Sequence, residues 1–125
     1  MQTSTQFADE FNRLSGLLDQ GLDALKRHVV AYAEAEAAYR KGKAQAWVSA
    51  PRFHEDTKVT AGEREAWVDG ETAQLRHTRD IADGMRQAAL EAVRSRRSQI
   101  SALQSLLAGH REEVALARTG PEFAA

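Results

Sequence analysis

The chain has 125 residues, 28% charged and 42% hydrophobic, and its 17 basic and 18 acidic residues leave a net charge of −1. That length gives room for one domain, and the balance of charge supplies no whole-molecule field drawing nucleic acid or anionic lipid. With no cysteine, disulfides, Cys-ligated zinc and thiol chemistry are excluded, which fits a reducing compartment.

Residues 1–5 are polar and offer Ser4 or Thr5 as an N-cap, with Asp9 and Glu10 in the first helical turn. This start lacks the basic and then apolar run of a signal peptide, so a cytoplasmic location is expected. No apolar run approaches membrane-spanning length, so no membrane partner is expected. A first helix is predicted over about 6–49. Its stripe is Phe7, Phe11, Leu14, Leu18, Leu22, Leu25, Val29, Tyr32 and Tyr39, spaced mostly by three and four residues. Gly16 and Gly21 interrupt it, each at about 1 kcal/mol against alanine, which leaves a kink near residues 15–21 open. Alanine dominates Ala31–Ala46 and lets a neighbouring helix approach closely.

The helix ends at Ser49-Ala50-Pro51, because the residue before a proline is pushed out of the helical region. Residues 50–59 form the connection, long enough to reverse direction. Trp47 and Trp67 flank it at matching distances and are expected to form a mini-core at the tip, with Phe53 as a further candidate. A stacking platform for a ligand is the functional alternative.

A second helix is predicted over about 60–118. Thr60-Ala61-Gly62-Glu63 is a capping box at its start, and Thr119-Gly120-Pro121 is a stop. Apolar or small residues recur at Val68, Leu75, Ala82, Met85, Ala89, Val93, Ile100, Leu103, Leu107, Val114 and Ala117. From Val93 onward the steps are four and three, with Arg96 and His110 in the two polar gaps, which is a coiled-coil seam, and Met85-Ala89-Val93 is a stutter. An unbroken helix of that length would measure roughly 85–90 Å. The fold class is therefore all-α: a long antiparallel two-helix hairpin, coiled-coil-like, in a single domain.

Two helices alone bury one stripe each, and Leu17, Ile81, Leu90, Leu106 and Leu116 widen those stripes beyond a strict seam. The surplus is expected to drive self-association into a four-helix bundle, a homodimer being the simplest closed form. The seam residues assigned to it are Leu18, Leu22, Leu25, Val29, Leu75, Met85, Val93, Ile100, Leu103 and Leu107. A different protein partner could occupy the same faces.

Chemistry is sparse. His28, His54, His77 and His110 are scattered, no His-Glu-x-x-His or glycine-rich phosphate loop occurs, and Glu63, Glu65, Asp69 and Glu71 suit the N-terminal end of a helix dipole. No catalytic, cofactor-binding or metal-ligating residues are assigned, no cofactor is called for, and an enzyme is not expected. Binding has more support. Arg86, Arg94, Arg96 and Arg97 make a locally basic stretch, and Arg40, Lys41 and Lys43 make a second. These seven are the candidate nucleic-acid contacts. Arg76–Asp80 and Arg79–Asp83 pairs are expected to neutralise part of that charge.

The segments Ala37-Ala38-Tyr39-Arg40-Lys41-Gly42-Lys43-Ala44-Gln45-Ala46 and Val59-Thr60-Ala61-Gly62-Glu63-Arg64-Glu65-Ala66 resemble small helical-hairpin proteins of actinobacteriophages. So do Arg94-Ser95-Arg96-Arg97-Ser98-Gln99-Ile100-Ser101 and Leu106-Leu107-Ala108-Gly109-His110-Arg111. The resemblance covers about residues 30–113, and the chain departs from it in its longer Pro51–Lys58 connection and its serine-rich 95–105 segment. It implies a place in phage DNA recombination and replication, and no site residue carries over. The expected function is thus a non-enzymatic, self-associating interaction protein, accessory to phage DNA metabolism or modulating the host. A nucleic-acid-binding accessory and a virion or assembly component are the alternatives.

Overall fold

The computed structural model describes residues 3–124, and side-chain surroundings over residues 3–119. It is all-α apart from one small ribbon. Helix α1 spans Ser4–Ser49, strands β1 (Phe53–His54) and β2 (Thr57–Lys58) follow, and helices α2 (Ala61–Glu71) and α3 (Ala73–Ala124) complete the chain. No described helix is long and apolar enough to cross a membrane.

Helix α1 is continuous through Gly16 and Gly21, so the glycines do not break it. It starts earlier than expected, because the cap is Thr3 rather than Ser4 or Thr5. Thr3 Oγ1 accepts from the Gln6 amide at 3.1 Å, and Gln6 Oε1 accepts from the Thr3 amide at 2.7 Å, a complete capping box. Its end at Ser49, before Pro51, is where the sequence puts it.

The connection carries an antiparallel ribbon that the sequence reading leaves as loop, with Phe53 opposite Lys58 and His54 opposite Thr57. Glu55 turns the chain with a φ of 55°. The Val59 amide donates to the Arg52 carbonyl at 2.9 Å and closes the ribbon against the start of α2.

The predicted second helix is two helices. Thr60 caps α2 through its Oγ1, which accepts from the Glu63 amide at 3.1 Å. The helix then departs from regular dihedrals at Thr72 (φ −103°, ψ 6°) before α3 begins. Thr72 is 1% exposed. A hydroxyl buried that deeply needs an acceptor, and it donates to the Val68 carbonyl one turn back at 2.8 Å. Such back-bonding competes with regular helix, and nearby Gly70 lowers the resistance to it. Helix α3 carries past the expected stop at Thr119-Gly120-Pro121, to Ala124.

The chain divides into two compact units. One comprises residues 1–23 and 90–125, the other residues 24–89. In the first, Phe7, Leu14 and Leu103 form the core, with Ile100 and Leu107 against it. The Phe7 and His110 rings lie 5.3 Å apart. A Cβ on Gly21 would stand 3.5 Å from Val93 Cγ2, so α1 and α3 pack closely here. In the second, Ala46, Ala50 and Val68 form the core, with Trp47 and Trp67 against it. The expected tryptophan mini-core is present, whereas Phe53 is 64% exposed and lies outside it.

Candidate interaction surface

The apolar seam divides into a covered part and an open part. Val93 and Leu103 are 1% and 7% exposed, held against α1 inside the first unit rather than presented to another chain. Ile100 and Leu107 are partly buried on the Phe7–Leu14–Leu103 cluster. Leu18, Leu22, Leu25 and Leu75 are half-buried. Met85 and Val29 stay exposed in the second unit, with Ile81 and Val30. In the first unit Leu106 is 61% exposed, Leu116 70% and Phe11 40%.

Of the seven basic candidates, most are engaged within the chain. Arg86 Nη2 donates to Asp83 Oδ1 at 2.6 Å, and its guanidinium lies 5.0 Å from the centre of the Tyr32 ring. Arg40 Nε donates to Glu36 Oε1 at 2.9 Å, and Lys43 Nζ stands 5.9 Å from the Tyr39 ring centre. Lys41 is exposed. These four belong to the second unit, whereas Arg94, Arg96 and Arg97 belong to the first. There Arg94 Nη1 donates to Glu91 at 2.7 Å and Arg96 Nη1 to Gln99 at 2.9 Å, with Arg97 exposed.

The expected Arg76–Asp80 and Arg79–Asp83 pairs give way to others. Arg76 approaches Asp69 at 3.8 Å and Asp83 takes Arg86. Arg79 turns across the seam. It bonds Asp80 at 2.9 Å, nears Glu36 at 3.7 Å and stacks 4.3 Å from the Tyr39 ring centre. Its hydrogen bond to Asp80 holds its pKa above the ordinary arginine value. Sequence reading finds the tyrosines as stripe positions but not these cation–aromatic pairs, which depend on which residues α1 and α3 bring opposite each other.

Near the ribbon, Arg64 Nη2 donates to the Trp47 carbonyl at 3.1 Å and its guanidinium lies 5.5 Å from the indole. Its Nε is buried without a partner. Arg64 thus ties α2 to the end of α1 as a packing group. Among the described residues no three His, Cys, Asp or Glu side chains converge as metal ligands.

What remains is a set of helix faces bearing large exposed apolar side chains, chemistry suited to holding another helix. Comparison with protein-family models, with curated proteins and with solved structures finds no match.

Proposed function

We propose that this protein works by contact with other chains: its helices form a long antiparallel hairpin that self-associates into a bundle and presents the remaining faces to a protein partner. One observation carries the reading. Large apolar side chains stand open along the described helices, Phe11 at 40%, Ile81 at 54%, Leu106 at 61% and Leu116 at 70% exposed, the kind of surface that marks a contact with another chain. A second copy is the simplest cover, since an isologous pairing closes on itself. The phage resemblance adds the setting, in which such a protein would be accessory to DNA metabolism or would modulate the host.

The nucleic-acid alternative is the weaker one. Arg86, Arg94 and Arg40 each already answer a carboxylate, which lowers the net charge available to phosphates. Light scattering on the intact chain tests the proposal. A mass of twice 13.8 kDa or a higher multiple supports it, and a monomer at every concentration overturns it.

A further inference from the structure

A cleft beside the ribbon, within the second unit, gathers cations with no acid to answer them. It is lined by Arg52, Phe53, Lys58 and Val59 and, at the start of α2, by Thr60, Ala61 and Arg64. No carboxylate is among them: Glu55 and Asp56 sit at the turn of the ribbon, and Glu63 and Glu65 flank Arg64 in sequence without lining the cleft. Among the described residues none of the three cations forms an ion pair.

Arg64 sets this cleft apart from an ordinary solvated basic face. Its guanidinium is held in place by the Trp47 carbonyl and indole, neither of which carries a negative charge. Its Nε is the one buried side-chain nitrogen or oxygen without a partner among the described residues. The half-buried guanidiniums of Arg79 and Arg86, by contrast, each bond a carboxylate. A partly desolvated charge without a counter-charge costs stability, and an anion in the cleft would offset that cost.

The walls also select the anion. Three positive groups around one site favour a phosphate, close to a dianion at neutral pH, over a single carboxylate. Phe53 is 64% exposed and stands opposite Lys58 across the ribbon, so the two side chains share one face of it. The cleft measures about 700 Å³, more than a bare phosphate fills and within the range of small-ligand sites.

We propose that this cleft binds a phosphate monoester carrying an aromatic ring, with Arg52, Lys58 and Arg64 on the phosphate and Phe53 against the ring. The site goes beyond the self-association proposed above and does not depend on it.

The test is amide NMR on the full chain, titrated at low salt with adenosine 5′-monophosphate, O-phosphotyrosine, adenosine and inorganic phosphate. Arg52→Gln, Lys58→Gln and Phe53→Ala alter exposed positions, so circular dichroism should show unchanged helix content. The expected result is saturable shifts confined to residues 52–64 with one or both monoesters, the tighter of the two naming the source of the ring. Adenosine should give none, and inorganic phosphate should bind more weakly. Each glutamine variant should weaken monoester binding by about tenfold, the worth of one charge-assisted hydrogen bond. No saturable shift with either monoester, or shifts centred on Arg94–Arg97 instead, would overturn the site. Inorganic phosphate binding as tightly as the monoesters, with Phe53→Ala indifferent, would overturn the assignment of an aromatic monoester.

Discussion

Arg79 of α3 stacks its guanidinium 4.3 Å from the centre of the Tyr39 ring of α1. The pairing recurs seven residues along both helices, where Arg86 lies 5.0 Å from the Tyr32 ring centre. Each rung needs its two partners opposite one another, so two rungs at equal spacing select one register of α1 against α3. Slipping either helix by a residue loses both. A seam that is partly polar gives up some hydrophobic stabilisation in exchange for a unique alignment.

A double-mutant cycle over Tyr39→Leu and Arg79→Met should therefore give a coupling of about 0.5–2 kcal/mol, the range for a partly desolvated cation over an aromatic face. Tyr39→Phe should retain most of it, because the ring is kept. Urea unfolding at one fixed protein concentration reads the result. Coupling near zero would mean that the rungs are incidental.

Val68 and Thr72 make a second linked pair. Val68 is fully buried, and truncating it to alanine should cost roughly 2–3 kcal/mol through lost transfer energy and the cavity left behind. Thr72→Val should behave differently. The Val68 carbonyl keeps its bond from the Thr72 amide at 3.0 Å, so removing the hydroxyl leaves no orphaned acceptor. That change should fall within about 1 kcal/mol of the parent and allow α2 to run on into α3, which amide chemical shifts around Glu71–Ala73 would report.

Gly16 and Gly42 are both helical glycines with opposite surroundings. A Cβ on Gly16 meets nothing within 4 Å, so Gly16→Ala should stabilise the chain by about 1 kcal/mol through helix propensity alone. A Cβ on Gly42 would collide with Cδ1 of Leu75. Leu75 would have to shift, and overpacking of about 1–3 kcal/mol would cancel or exceed the same gain. Thermal unfolding of the two variants side by side should show Gly16→Ala raised and Gly42→Ala unchanged or lowered.

Glu10 should titrate below the ordinary glutamate value of 4.5, chiefly because the Arg13 side chain donates to its carboxylate. The linkage sign follows from the direction. A carboxylate whose folded pKa is depressed contributes stability at neutral pH and loses it as pH falls through that folded value. Side-chain carboxyl NMR on the parent chain and on Arg13→Gln should show a low midpoint in the first and a return towards 4.5 in the second. An unchanged midpoint would mean the pair has no standing in solution. The group is exposed, so the effect belongs to the first turns of α1 rather than to the whole fold.

The features legible in the sequence are those set by nearest neighbours along the chain. Proline at position 51 ends α1 at Ser49, Thr60 caps α2, and the four-and-three spacing picks out Leu14, Val93 and Leu103 for burial. The break at Thr72 was not legible. Exposed Thr78 and Thr119 also donate to the carbonyl four residues back without breaking α3, so a threonine by itself gives no signal; at Thr72 the bond coincides with near-complete burial, which local spacing does not show. The ribbon at Phe53–Lys58 was not legible either, because two-residue strands carry no alternation to read. The Arg–Tyr rungs follow from the register between helices, which local spacing does not specify.

The claim underneath all of this is that a single chain leaves apolar surface that another chain must cover, so folding and association are coupled. Thermal unfolding across a wide range of protein concentration measures that coupling directly. The account predicts a midpoint that climbs steadily with concentration, as mass action requires when only the folded state associates. A midpoint that stays the same from the most dilute to the most concentrated sample would contradict it.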